Sequence, residues 1–126
     1  MRSVVSTPHA PKAIGPYSQG IKANGFVFTA GQAGLDPTTG KLAGEDIVSQ
    51  TQQVMRNLQA ILEEAGSSMD KVVKTTVFVV NLADFKTVNE IYGSFFTGEP
   101  PARSTVQVAA LPLGALVEIE AVALEA

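Results

Sequence analysis

The chain has no cysteine, a single histidine and few charged residues, 17 % of 126. Without cysteine there can be no disulfide, no thiolate metal site and no cysteine nucleophile, although the absence assigns no compartment. The lone histidine, His9, lies in "TPHAPK". One imidazole cannot form a metal site without carboxylate partners, and no neighbouring pattern offers them, so His9 is expected to have no catalytic role. Serine-hydrolase triads would have to use that same His9 as base, and no GxSxG, P-loop or GxGxxG pattern occurs. Gly31 and Gly34 in "AGQAGLD" are too sparse for a phosphate loop. The formal net charge of −3 supplies no basic field for nucleic acid. The stretch "MRSVVSTPHAPKAIG" lacks the apolar region of a signal peptide. No apolar run approaches the ~18 residues of a membrane span. The expectation is a soluble cytoplasmic protein with no nucleic-acid or membrane partner.

What the chain does have is apolar residues, 45 % of the total. Its length suits one compact domain, residues 1–126. A charge content well below the usual ~25 % leaves more apolar surface than a monomer of this size buries, which points to oligomerisation. No repeat, low-complexity tract or linker interrupts the sequence. "GPYSQGIKANGFVFTAGQ" predicts two short strands joined by Asn24-Gly25, both of which tolerate positive φ. Asp36-Pro37 and Gly40 mark the loop that follows.

Ile47, Thr51, Val54, Leu58, Ile61 and Ala65 recur at helical spacing, predicting a helix from about Asp46, as N-cap, to Ala65, with Gly66 just beyond. "KVVKTTVFVVNL" predicts a strand whose near-continuous apolarity at 77–80 suggests burial on both faces. A second helix is expected from about Asp84 to Phe96, then strands in "ARSTVQVAAL" and "LVEIEAVALE". The order ββαβαββ suggests an α+β or α/β sandwich, one sheet with both helices on one face. Its other face then needs cover, most simply from another subunit.

Two charges interrupt the apolar C-terminal strands. Alternation puts Arg103, Thr105 and Gln107 on one face, and Ser104, Val106 and Val108 on the other, which reads as the core side. Glu118 and Glu120 share a face with Val122 and Leu124, opposite the apolar set Val117, Ile119, Ala121 and Ala123. If the two strands formed a tight hairpin, Arg103 would lie about four residues from Glu118, roughly 13 Å at ~3.3 Å per residue. A working pair then requires another sheet order or a subunit boundary. An arginine fork suits a carboxylate, and a glutamate suits a cation or a water. A small zwitterion fits both, and with no cofactor motif the chemistry must be easy, as in hydrolysis of an already reactive compound.

"IGPYSQG", "AGQ", "KTTVFVVNLADF", "VNEIY", "PPARSTVQVAALP" and "VEIEAVAL" resemble the RidA (reactive intermediate deaminase A) branch of the YjgF-type family, in order and over nearly the whole chain. The resemblance implies a chorismate-mutase-like α+β fold, a single mixed sheet with two helices on one face. It also implies a homotrimer with ligand clefts between subunits, and cofactor-free hydrolysis of 2-imino acids (2-iminopropanoate, 2-iminobutanoate) to 2-oxo acids and ammonia. By the same resemblance Arg103 grips the substrate carboxylate, Glu118 is linked to the attacking water, and Tyr17, Gly31, Asn89 and Thr105 line the pocket. The family's usual sheet order separates the last two long strands. Ala30 and Thr105 depart from the Ser and Cys of many relatives, which implies altered rate or preference. The rival expectation is a non-catalytic trimer that binds a small carboxylate or regulates a partner.

Overall fold

The computed structural model describes residues 1–126. Its strands are β1 (Arg2–Val5), β2 (Gly20–Ala23), β3 (Phe26–Thr29), β4 (Gln32–Ala33), β5 (Val72–Val79), β6 (Ala102–Gln107) and β7 (Val117–Leu124); its helices are α1 (Ile47–Glu64) and α2 (Phe85–Gly93). All strands join one sheet ordered β1-β2-β3-β7-β5-β6, with β4 continuing alongside β7. Only β5–β6 is parallel, so the sheet is mixed. The predicted order is present, with the short strands β1 and β4 added.

Local chemistry sets the elements. Asn24 (φ 52°) and Gly25 (φ 84°) both adopt left-handed backbone, the geometry a two-residue hairpin needs, and they register Ala23 against Phe26. The Asp46 carboxylate caps α1 by accepting from the Ser49 N–H at 3.0 Å. Gly66 (φ 84°) ends it, donating to Glu63 O. α2 stops at Gly93, three residues before the expected Phe96; Phe95 and Phe96 still pack against the core as a turn. Nineteen buried residues form the core, drawn mainly from α1, the inward side of α2 and alternate positions of β5 and β7, with Val5, Ala10, Val27, Ala65 and Met69 completing it.

The last two long strands are separated, as the resemblance implies and against the conditional hairpin: β5 lies between β6 and β7, pairing Thr75 with Arg103 and Phe78 with Glu118. Two expectations need correction. β5 is not buried on both faces: Val77 and Val79 are buried, while Phe78 and Val80 are half-exposed on the side away from the helices. In β6 the assigned faces are reversed. Arg103 and Thr105 register with Thr75 and Val77, which face the helices, whereas Val106 is 43 % exposed on the free face. Apolar content misled here, because β6 is an edge strand whose valine has no cover within the subunit.

Candidate active site

The predicted residues form two separate half-sites on one subunit. The first gathers on α2 and β6. Phe85, Asn89 and Tyr92 sit at i, i+4 and i+7, one face of the helix, and that face meets β6. The Arg103 guanidinium carbon lies 4.9 Å from the Tyr92 ring centre and 5.4 Å from that of Phe85. Such contacts hold the flat of the guanidinium by cation–π attraction while leaving its N–H edge free. Tyr92 is fixed in turn by a 2.6 Å hydrogen bond between its hydroxyl and that of Thr75. Burial pushes the Tyr92 phenol up, opposed by the Thr75 hydrogen bond and the Arg103 charge, so it stays neutral. Asn89 Oδ1 and Thr105 Oγ1 are buried without a hydrogen-bond partner. A buried polar atom left unmatched is costly unless something else meets it. Two such atoms on the elements that carry Arg103 mark a ligand-facing surface.

The second half-site gathers on the free face. A cleft of about 80 Å³ is lined by Tyr17, Gly31, Leu35, Leu113 and Glu118 among others. Glu118 lies against the Gly31 backbone, where a methyl group would stand 2.9 Å from the carboxyl carbon. Position 31 must therefore be glycine for the carboxylate to lie where it does. Burial pushes the Glu118 carboxyl above its ordinary range, and the neighbouring Glu120 adds to the rise. The one ion pair, Lys22–Glu125 at 3.8 Å, involves neither Glu118 nor Arg103. Tyr17 stands at the cleft mouth, half-exposed, its hydroxyl accepting from the Ile14 N–H at 3.3 Å. Two wider grooves, of about 640 and 600 Å³, also touch Tyr17 but contain neither Arg103 nor Glu118.

Arg103 and Glu118 do not meet within a subunit. They lie on either side of β5, three residues apart along it and on opposite faces of the sheet. That is roughly 10 Å across and 10 Å along at ordinary strand spacings, with the side chains diverging. His9 stands in a shallow hollow with Glu63 and Glu64, away from both half-sites. Nowhere do three His, Asp or Glu side chains converge as a metal site would need. No helix is long and apolar enough to cross a membrane.

Sequence reasoning missed the two rings that carry Arg103, because aromatics at helical spacing read as core. It also missed Gln19, 6 % exposed, whose amide accepts from Thr7 N at 2.7 Å and donates to the carbonyls of Thr7, Ala10 and Pro11. This latch fixes the N-terminal arm, which supplies Pro11, Lys12 and Ile14 to the Glu118 cleft. A buried glutamine beside "PYS" carries no sequence signal of its own.

Comparison with known proteins follows the same lines. The family model described as Endoribonuclease L-PSP matches residues 7–125. The chain is 56 % identical to Reactive Intermediate Deaminase A, chloroplastic, of Arabidopsis thaliana, over 97 % of this chain but 65 % of that protein's length. It is 49 % identical to the 2-iminobutanoate/2-iminopropanoate deaminase of Mus musculus, over 99 % of this chain and 93 % of that one. Among solved structures, E. coli TdcF with bound serine superposes with a TM-score of 0.91 at 42 % identity, covering 97 % of this chain and 98 % of that one. The Rid family protein YyfA of Yersinia pestis gives 0.96 at 51 %, covering 98 % and 99 %. Two helices on one face of a single mixed sheet is thus the chorismate-mutase-like arrangement of these neighbours.

Proposed function

The chain belongs to the endoribonuclease L-PSP (RidA/YjgF) family, and from that premise we propose that it hydrolyses reactive 2-imino acids to 2-oxo acids and ammonia in clefts between the subunits of a homotrimer. The observation that carries this reading is the pair of incomplete half-sites, one with an unpaired arginine fork and the other with an unpaired, desolvated carboxylate. A second subunit can bring them together. The relatives named as deaminases support the reaction class, and the relative with bound serine supports a small ligand bearing carboxylate and ammonium groups.

In this mechanism Arg103 holds the carboxylate of 2-iminopropanoate or 2-iminobutanoate in its protonated, iminium form. Glu118 of the facing subunit orients a water and takes its proton as the oxygen bonds to the imine carbon, giving the carbinolamine. Glu118 passes that proton to the amino nitrogen, the C–N bond breaks and ammonia leaves, and the carbonyl forms as the hydroxyl proton returns to the Glu118 carboxylate. Asn89 Oδ1 and the Thr105 hydroxyl provide polar contacts for the developing amine, backbone at Gly31 lines the pocket, and Tyr17 closes it. No step requires a cofactor. Positioning supplies much of the acceleration, because the imine already hydrolyses unaided. The family description includes a ribonuclease, but a net charge of −3 disfavours grip on a phosphate backbone.

The test generates the imine with a threonine dehydratase or an amino-acid oxidase and follows oxo-acid release. Arg103→Ala is expected to lower kcat/KM on the order of 100-fold, the usual cost of removing one member of a buried charge pair. An unchanged rate would overturn the assignment. Carboxylate binding without turnover by the unmodified protein would point instead to a binding or regulatory role.

A further inference from the structure

Leu113 is placed against both of its own preferences. Its backbone is left-handed, φ 61°, a region that suits glycine or asparagine and that a leucine enters at a steric penalty. Its side chain is 58 % exposed. Neither the core nor the turn explains a leucine there. The turn is closed without it, by the Ala115 N–H donating to Pro112 O at 3.2 Å and by Gly114 taking a second left-handed position at φ 73°. Strain of this kind, retained at an exposed residue, collects at ligand sites. Leu113 does line one: with Ile14, Leu35 and Pro112 it forms the apolar wall of the cleft that holds Glu118.

We propose that Leu113 selects the substrate's side chain, and that the preferred substrates are 2-imino acids carrying an alkyl chain of three or four carbons rather than a methyl or a charged group. This rests on the deaminase reading above. There the carboxylate is fixed at Arg103 and the imine carbon at Glu118, so the remaining substituent on that carbon falls toward the wall that Leu113 completes. An alkyl chain there removes both its own surface and that of Leu113 from water, the source of methylene-by-methylene selectivity in apolar pockets. Lys12 is the one cation along the cleft, so an acidic side chain is the chemical competitor.

The experiment generates imines in situ from leucine, alanine and glutamate with amino-acid oxidases and measures kcat/KM for each. In the unmodified protein the leucine-derived imine is expected to exceed the alanine-derived one by about tenfold or more, tenfold being the lower end for a single added methylene in an apolar pocket. Leu113→Asn accepts the left-handed backbone and is expected to bring that ratio to about one, while Leu113→Met keeps it. A ratio unchanged in Leu113→Asn, or a preference for the glutamate-derived imine, overturns the assignment of Leu113 and leaves the deaminase reading standing. Hydrolysis of none of the three imines removes both.

Discussion

Arg103 shows how a charged residue can be held rigidly without spending its hydrogen bonds. Two aromatic rings take its faces, and its donors stay free for a ligand. Replacing Tyr92 by leucine removes one ring and the Thr75 hydrogen bond; KM is expected to rise about tenfold, in keeping with a partly desolvated cation–π contact. Tyr92→Phe keeps the ring and is expected to stay within a few-fold of the original, which separates the platform from the hydroxyl. Glu118 illustrates the opposite economy. Its pKa is raised in the fold, so the folded state holds a proton more tightly than the unfolded chain does. Stability is then full below the ordinary value of 4.5 and falls as pH rises through the raised value. Glu118→Gln is therefore expected to melt higher than the original at pH 8, with the gap closing toward pH 4.5, while imine hydrolysis is lost. Equal melting temperatures at both pH values would show that the carboxylate carries no desolvation cost. The sequence made both charges visible, since each interrupts an apolar strand. It could not say which face of β6 was covered, because alternation pairs residues without telling which side a helix occupies.

At the scale of elements, α1 does more than fill the core. Buried amides on it, Asn57 and Gln50, reach out to loops. Asn57 donates to the carbonyls of Ala33 and Leu35 at 3.2 and 3.0 Å, and Gln50 bridges the Gly44 carbonyl and the Leu116 N–H at 2.9 and 2.8 Å. Ala33 and Leu35 line the Glu118 cleft, so the helix sets the site from behind. Asn57→Leu would leave two carbonyls without donors and is expected to cost about 1–3 kcal/mol, measured by the denaturant midpoint. The helix ends were legible because Asp46 and Gly66 have specific backbone jobs, and the hairpin because Asn24-Gly25 does. The amides were not, since a polar residue on a helix normally marks the solvated face and only tertiary contact reveals otherwise. β1 and β4 went unseen for a related reason. Four and two residues long, they are strands only because β2 and β7 offer them an edge.

For the whole molecule, the free face of the sheet is the outstanding fact. Phe26, Phe28, Val106 and Leu124 are 36–45 % exposed there, on the side opposite both helices. Low charge content had already implied a surface needing a partner, and the proposed trimer supplies it. Phe28→Glu is expected to shift the mass seen by light scattering from trimer toward monomer and to abolish imine hydrolysis in step, since one subunit lacks a complete site. Retained activity in a monomer would overturn the shared-cleft arrangement. The placement of Arg103 and Glu118 on opposite faces of one sheet has a genetic consequence. If each cleft draws its arginine from one subunit and its glutamate from the next, then Arg103→Ala and Glu118→Gln chains, each at about a hundredth of the original activity or less alone, should rescue one another when unfolded and reassembled together. Every mixed ring contains one interface that inherits an intact arginine and an intact glutamate. Random assembly of equal amounts around a threefold ring would restore about a quarter of the original activity.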